Sequence, residues 1–261
     1  ARFYDPGYSR FTTPDPLSEK FYNWSPYVYC KNNPINRIDP DGRDDIFTQS
    51  GKYSHSTKTG SNIKIQVGGK EVLLSEVNLN ASGNRQAIAN VVGHYGTEIG
   101  LSFYAKGMIP VGDNPIGTLG LSTTSKESAI AFEQGGNIFV NKSNNKISEF
   151  LNDSYNLTNT LVHESQHKSQ TTKNENRPIP LREIDAIGTQ MNHSSYSKTT
   201  KEYQKNTMNY LIQNITETRL NDNRIQKIIN VANSKNNHYQ LQFHRYGSAG
   251  DAYQIKIIEK K

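Results

Sequence analysis

The segment Thr160-Leu161-Val162-His163-Glu164-Ser165-Gln166-His167 constrains this chain more than any other, because it sets two histidines four residues apart with a glutamate after the first. In a helix four residues turn through about 400°, so His163 and His167 stack on one face, one turn apart. From there both imidazoles can direct a nitrogen at a single ion about 2.0–2.1 Å away. Glu164 lies beside that face, outside the inner ligand set but within reach of a water on the ion. Zinc lowers the pKa of such a water toward about 7, and a neighbouring carboxylate can take its proton during attack on a carbonyl and pass it to the leaving amine. With seven His and thirteen Glu in 261 residues, composition alone produces the pattern in roughly one chain in a hundred. The segment is therefore read as a ligand pair plus a general base on a helix.

Composition narrows what else can be present. The single cysteine, Cys30, excludes an internal disulfide framework and any multi-cysteine zinc site, so a metal must sit on histidine and carboxylate. At 33% hydrophobic residues and a mean hydropathy of −0.77, 261 residues leave room for one or two domains with a buried core. No run approaches the roughly 18 apolar residues of a membrane helix. The first nine residues have no charged-then-apolar signal pattern, and the start at Ala1 without an initiator Met suggests a fragment of something longer. The net charge of +6 is uneven: five basic residues oppose five acidic ones over 1–42, fourteen oppose fourteen over 43–195, and eleven oppose five after Tyr196. This basic last quarter suits a nucleic acid, an acidic partner or an anionic surface, with a solvated helix face as the plainer explanation.

A catalytic zinc keeps three protein ligands and one open position, so a third ligand must follow the motif. Glu183, Asp185 and His193 stand downstream. Pro178-Ile179-Pro180 opens a second helix, which 181–190 continues with Ile184, Ile187 and Met191 at helical spacing. Glu183 sits beside that apolar face and is long enough to reach a neighbouring helix, which makes it the best fit. Its place near a helix N-terminus would also account for an acidic residue there.

Elsewhere the pattern predicts an α+β chain. Residues 44–60 read as a polar loop, 62–67 and 70–74 as a hairpin around Gly68-Gly69, 84–105 as a helix and 107–125 as a glycine-rich loop. Residues 129–132 and 137–140 read as strands split by Gly135-Gly136, and 147–151 as helical. Residues 201–233 read as one or two amphipathic helices, and 239–246 with 252–259 as a closing hairpin. His244 and Tyr246 fall on the strand face away from Leu241 and Phe243. Either could stabilise an oxyanion, although exposed strand residues are the default.

Two stretches carry family resemblances. Residues 1–42 hold six of the ten prolines and read Ala1-Arg2-Phe3-Tyr4-Asp5-Pro6, Pro14-Asp15-Pro16, Asn32-Asn33-Pro34 and Asp39-Pro40-Asp41-Gly42. This resembles the end of the RHS repeat-associated core domain, the last piece of the shell in polymorphic toxins. The resemblance implies that 1–42 closes a β-shell and that 43–261 is the effector. Self-cleaving relatives usually carry a Leu after this boundary and commonly a Gly shortly after the Asp-Pro that is Asp15-Pro16 here; in this chain Arg43 and Ser18 stand there. Asp15 and Asp39 are then either remnants of the cleaving aspartates or turn residues. The second resemblance, of H-E-x-x-H followed by Glu183-Ile184-Asp185-Ala186 on a second helix, is to the gluzincin group of zinc metallopeptidases, with Lys168 a small departure. It implies Glu183 as the third ligand and Asp185 as the residue that orients a histidine. By analogy with zincin folds, 137–140 is the edge strand that holds an extended substrate.

The resulting expectation is an α+β, zincin-like effector domain over 43–261, preceded by the short β- and turn-rich end of an RHS shell. It is a zinc-dependent peptidase toxin, secreted or otherwise delivered to act on a protein or peptide of a target cell, with a cognate immunity protein and the rest of the shell as partners. Nucleic acid is not an expected partner. The alternatives are a nuclease effector using the basic last quarter, and a non-enzymatic binding module with a structural zinc.

Overall fold

Glycine pairs in the left-handed conformation reverse the chain twice, at Gly68-Gly69 (φ 58° and 79°) and at Gly135-Gly136 (φ 59° and 82°). Both pairs make the two-residue turns that side chains would strain. The structure, a computed structural model, describes residues 4–5, 10–11, 44–57, 59–101, 119–122, 129–142, 145–218, 220–246 and 252–260.

Strands β1 (Tyr4–Asp5) and β2 (Arg10–Phe11) pair antiparallel. The other residues of 1–42, with Asp15, Cys30 and Asp39, lie outside the described residues, as do 102–118 and the closing turn at 247–251. A four-stranded sheet follows in the order β4-β3-β5-β6, from β3 (Asp45–Phe47), β4 (Tyr53–Ser56), β5 (Ile63–Val67) and β6 (Lys70–Leu73), with β3 parallel to β5. Helix α1 (Asn84–Glu98) leads to a second sheet, β7-β9-β8, made of β7 (Leu119–Ser122), β8 (Ala131–Gln134) and β9 (Asn137–Asn141). Then come α2 (Ser154–Thr172), α3 (Ile179–Asn192), α4 (Lys201–Glu217), α5 (Asp222–Lys235) and the hairpin of β10 (Tyr239–Tyr246) with β11 (Ala252–Glu259). The α+β expectation holds. No helix among the described residues is long and apolar enough to cross a membrane.

Two hydrophobic cores form, one on α2 and one on α3. The first joins Phe47, Ile63, Ile65, Ile88, Val92, Ile138 and Val140 to Leu157 and Leu161 of α2. The second joins Ile184, Ile187 and Met191 of α3 to Met208, Leu211, Ile225, Ile229 and Leu241. Each such side chain, once buried, contributes roughly 1.5–3 kcal/mol from its transfer out of water. Helix α2 is thereby anchored in the first core and packs against α3, whose apolar face belongs to the second, and this fixes the histidine-bearing face.

Four expectations need correction. Residues 44–60 are not a loop throughout, because they contain β3 and β4. The polar Asp45 hides the pattern: it is buried, and its carboxylate accepts hydrogen bonds from Tyr95 Oη (2.6 Å) and Ser56 Oγ (2.7 Å), while burial raises its pKa. Helix α1 stops at Glu98, well short of 105. Gly100 (φ 80°) ends it by donating to Thr97 O at 3.1 Å while Leu101 N donates to Gly96 O at 2.9 Å. Within 107–125, residues 119–122 form β7 beside β9. Residues 149–152 form a 3-10 turn ahead of α2.

Candidate metal centre

Asp153 starts α2 by accepting from Asn156 N at 2.9 Å, and its backbone pairs with Asn62 next to β5. The helix ends at a left-handed Asn174 (φ 51°), where Glu175 N donates to Gln170 O at 2.9 Å. Pro178 and Pro180 then open α3, which packs against α2. A buried bond ties the two helices: Asn159 Nδ2 donates to Gln190 O at 3.0 Å and to Ser195 Oγ at 2.9 Å.

This arrangement brings His163, His167 and Glu183 together. Their Nε2 atoms are 3.1 Å apart, and Glu183 Oε2 lies 3.3 Å from His163 Nε2 and 3.1 Å from His167 Nε2. One ligand atom from each residue lies within 4.8 Å of the others, and this is the one such cluster among the described residues. Glu164 is buried beside it, and burial raises its pKa against the pull of the two imidazoles. Burial opposes charging of His167, but the Glu183 carboxylate outweighs it and pushes the His167 pKa up to about 9. Burial likewise works against the Glu183 carboxylate, and hydrogen bonds from both histidines reverse this and hold it well below its ordinary value. Three lone-pair donors this close need a cation or a proton among them. Two imidazoles and one carboxylate with room for a fourth ligand are the donor set of a catalytic zinc site, so these residues fit a metal.

The cluster opens into a cleft of about 630 Å³. One wall is β8 with Ala129 and Ile130. Another is the face of α4 that carries Tyr203, Asn206, Thr207, Tyr210 and Gln213. The sequence expectation that 137–140 is the edge strand is wrong, since β9 lies between β7 and β8. The strand that lines the cleft is β8, and among the described residues it pairs only with β9.

The remaining candidates lie elsewhere. Asp185 is half-exposed and ion-paired with Arg177 rather than bonded to a histidine. His193 caps the end of α3, with Nδ1 2.9 Å from Ser195 Oγ. His244 and Tyr246 are exposed on β10 and do not line the cleft, as the strand alternation foretold; Tyr246 Oη donates to Gln254 Oε1 at 2.6 Å. Sequence reasoning missed the groups that touch the imidazoles from behind: Gln190 Oε1 is 3.0 Å from His163 Nδ1, and Gln170 Oε1 is 2.9 Å from His167 Nδ1. It also missed Tyr210, whose hydroxyl bonds to Glu183 and whose pKa is raised by burial and by that carboxylate. A signal for the glutamines was present. Gln170 follows His163, and Gln190 follows Glu183, by seven residues, which is two turns and the same helix face.

Comparison with known proteins gives one finding. Residues 45–243 match the family model described as Metallopeptidase toxin 2. No curated protein and no solved structure matches the chain. The matched span takes in both cores, the histidine–glutamate cluster and every wall of the cleft, and it covers well over half of the sequence. A metal-dependent peptidase needs what that span holds, and the chain belongs to the metallopeptidase toxin 2 family, as a toxin that acts by hydrolysing protein.

Proposed function

We propose that the metal is zinc, that His163, His167 and Glu183 hold it, and that Glu164 is the general base for hydrolysis of a peptide bond in a protein of the target cell. The observation that carries this reading is the convergence of three donor atoms beside a buried glutamate at the floor of an open cleft. Bound zinc supplies Lewis acidity and an acidified water. Glu164, its pKa raised by burial, takes up a proton from the attacking water and delivers it to the leaving amine. Tyr210, on the cleft wall, turns its hydroxyl from Glu183 to the developing oxyanion, the role that sequence alone offered to His244 or Tyr246. The edge of β8 that is unpaired among the described residues offers backbone donors and acceptors to an extended substrate.

The cleft supports a peptide rather than a nucleic acid as substrate. The α4 face toward it is uncharged, while Lys201 and Lys205 sit on the helix's exposed side, Lys201 paired with Glu259. Three protein ligands beside an open cleft favour a catalytic over a structural zinc. The RHS-like residues 1–42 and a family match that begins just after Gly42 support a division into 1–42, the end of a shell, and 43–261, the zincin-like effector. In that arrangement the toxin is secreted or delivered with the rest of the shell, and a cognate immunity protein binds it in the producing cell.

Glu164→Gln tests the reading, because the amide keeps the shape and removes the proton acceptor. Zinc content and thermal unfolding should stay as in the wild type while peptide cleavage and killing fall by about 10²–10⁴ or more. Undiminished killing by this variant would assign the metal a structural role.

A further inference from the structure

We propose that Gln190 and Gln170 are positioning residues that lock both histidines in the Nδ1-protonated tautomer, so that two neutral imidazoles present only lone pairs to the metal. The proposal rests on the reading that His163 and His167 are ligands. Either amide could in principle be turned end for end, so the assignment depends on what holds each NH₂ group.

Gln170 is buried, and its Nε2 donates to the carbonyl oxygen of Arg182 at 3.0 Å. A carbonyl only accepts, so the amide cannot be flipped, and Oε1 must face His167 Nδ1. An amide oxygen also only accepts, hence the hydrogen is on Nδ1. Gln190 is also buried, and its Nε2 reaches Tyr203 Oη at 3.0 Å and Thr207 Oγ1 at 3.4 Å. The Thr207 hydroxyl already donates to the Tyr203 carbonyl at 3.0 Å, which leaves Oγ1 only lone pairs to offer. Turned end for end, the amide would set Oε1 against those lone pairs, whereas as it stands Nε2 donates to both hydroxyls; in that orientation His163 Nδ1 carries the hydrogen toward Gln190 Oε1.

With both hydrogens fixed at the back of the rings, the Nε2 lone pairs meet at 3.1 Å with the Glu183 carboxylate between them. The two amides thus hold in place an arrangement that a metal ion relieves, or a proton when no metal is bound. Metal-binding histidines commonly lean on a carboxylate or a carbonyl, and a carboxylate raises the basicity of the ring as well as orienting it. An amide orients without adding charge. Glu183 therefore remains the sole anionic ligand, and zinc is held less tightly than a carboxylate-backed site would hold it.

Zinc affinity of the whole chain, measured by competition with a chromophoric chelator, tests this, with thermal unfolding of the metal-free protein as the check on fold. Gln190→Met and Gln170→Met keep length and remove the acceptor, and each should weaken zinc by about 10–100-fold. Gln190→Glu restores the acceptor, since the Tyr203 hydroxyl, which shares a hydrogen with Thr160 at 2.9 Å, can turn to donate. That variant should bind zinc at least as tightly as the wild type. Wild-type affinity in both Met variants, or a Glu variant as weak as Gln190→Met, would overturn the proposal. If Gln190→Met does not fold, Gln170→Met at the other imidazole decides alone. His163→Ala separates the two levels: wild-type zinc binding by that variant would overturn the ligand assignment itself rather than the role of the amides.

Discussion

Helices α2 and α3 present two hollows of similar size and different character. Toward β8 and α4 they line the cleft of about 630 Å³ that holds His163, Glu164, His167 and Glu183. Toward α5 they line a larger groove of about 770 Å³ with Val162, Ile184, Ile187 and Met191. Val162 precedes His163 and Ile184 follows Glu183, so a step of one residue, about 100° of helix, separates apolar packing from the histidine–glutamate cluster. Size therefore does not mark the active site. What marks the cleft is three ligand atoms that converge; Gln166, Asp185, His193 and Lys227 line the larger hollow, but among the described residues it brings no such cluster together.

The sharpest way to break that comparison is to exchange acids on α3. Glu183→Ala should weaken zinc by more than about 100-fold, beyond the range for a partner that only supports a ligand. Asp185→Ala should change it less than about twofold, because Asp185 spends its charge on Arg177 in an exposed pair of a kind worth roughly 0–1 kcal/mol. A chelator titration that reversed the order would move the metal to the other face of α3.

The next largest effect belongs to the apolar side. Met191→Ala removes a buried side chain from the second core and should cost about 2–5 kcal/mol in denaturant unfolding. The variant that remains folded should bind zinc as the wild type does. Zinc affinity that fell together with stability would mean that the two faces are coupled through α3.

How much of this was legible before the structure follows the same divide. Helical periodicity carried α2, α3, α4 and α5, and the Gly-Gly turns carried the β5–β6 and β8–β9 hairpins, because in each case the signal lies within a short span. The cluster His163, His167 and Glu183 was readable for the same reason: one helix sets the spacing and the next supplies the reach. Strands β3 and β4 were not readable. Their partners are near in sequence, but β4 is polar and the buried Asp45 of β3 is satisfied by Tyr95, fifty residues away. The order β7-β9-β8 depends on a parallel pair between β7 and β9, and a local pattern of apolar residues cannot say which strand is left at the edge. Asp185 was misplaced because the E-x-D spacing fixes an angle around α3 but not the approach of Arg177. The glutamines escaped notice because an amide has no charge to attract attention, although their spacing placed them on the helix faces of His163 and Glu183.

The smallest expected effect tests whether the apolar groove is merely packing left open. Gly188 lies inside α3 and lines that groove, and a Cβ built there meets no atom within 4 Å. A helix-interior glycine costs roughly 0.5–1 kcal/mol relative to alanine, and here no neighbouring backbone requires its bareness. Gly188→Ala should therefore stabilise the fold by up to about 1 kcal/mol, a rise of roughly 2–4 °C in Tm for a domain of this size. Zinc affinity and peptide cleavage should not change, since the added methyl points away from the cleft that holds His163 and His167. A fall in Tm would show that another surface fills the groove in solution. Intact cleavage of a peptide with reduced killing would show that the groove serves the toxin outside its active site, and the contrast between the two faces would then be one between chemistry and recognition.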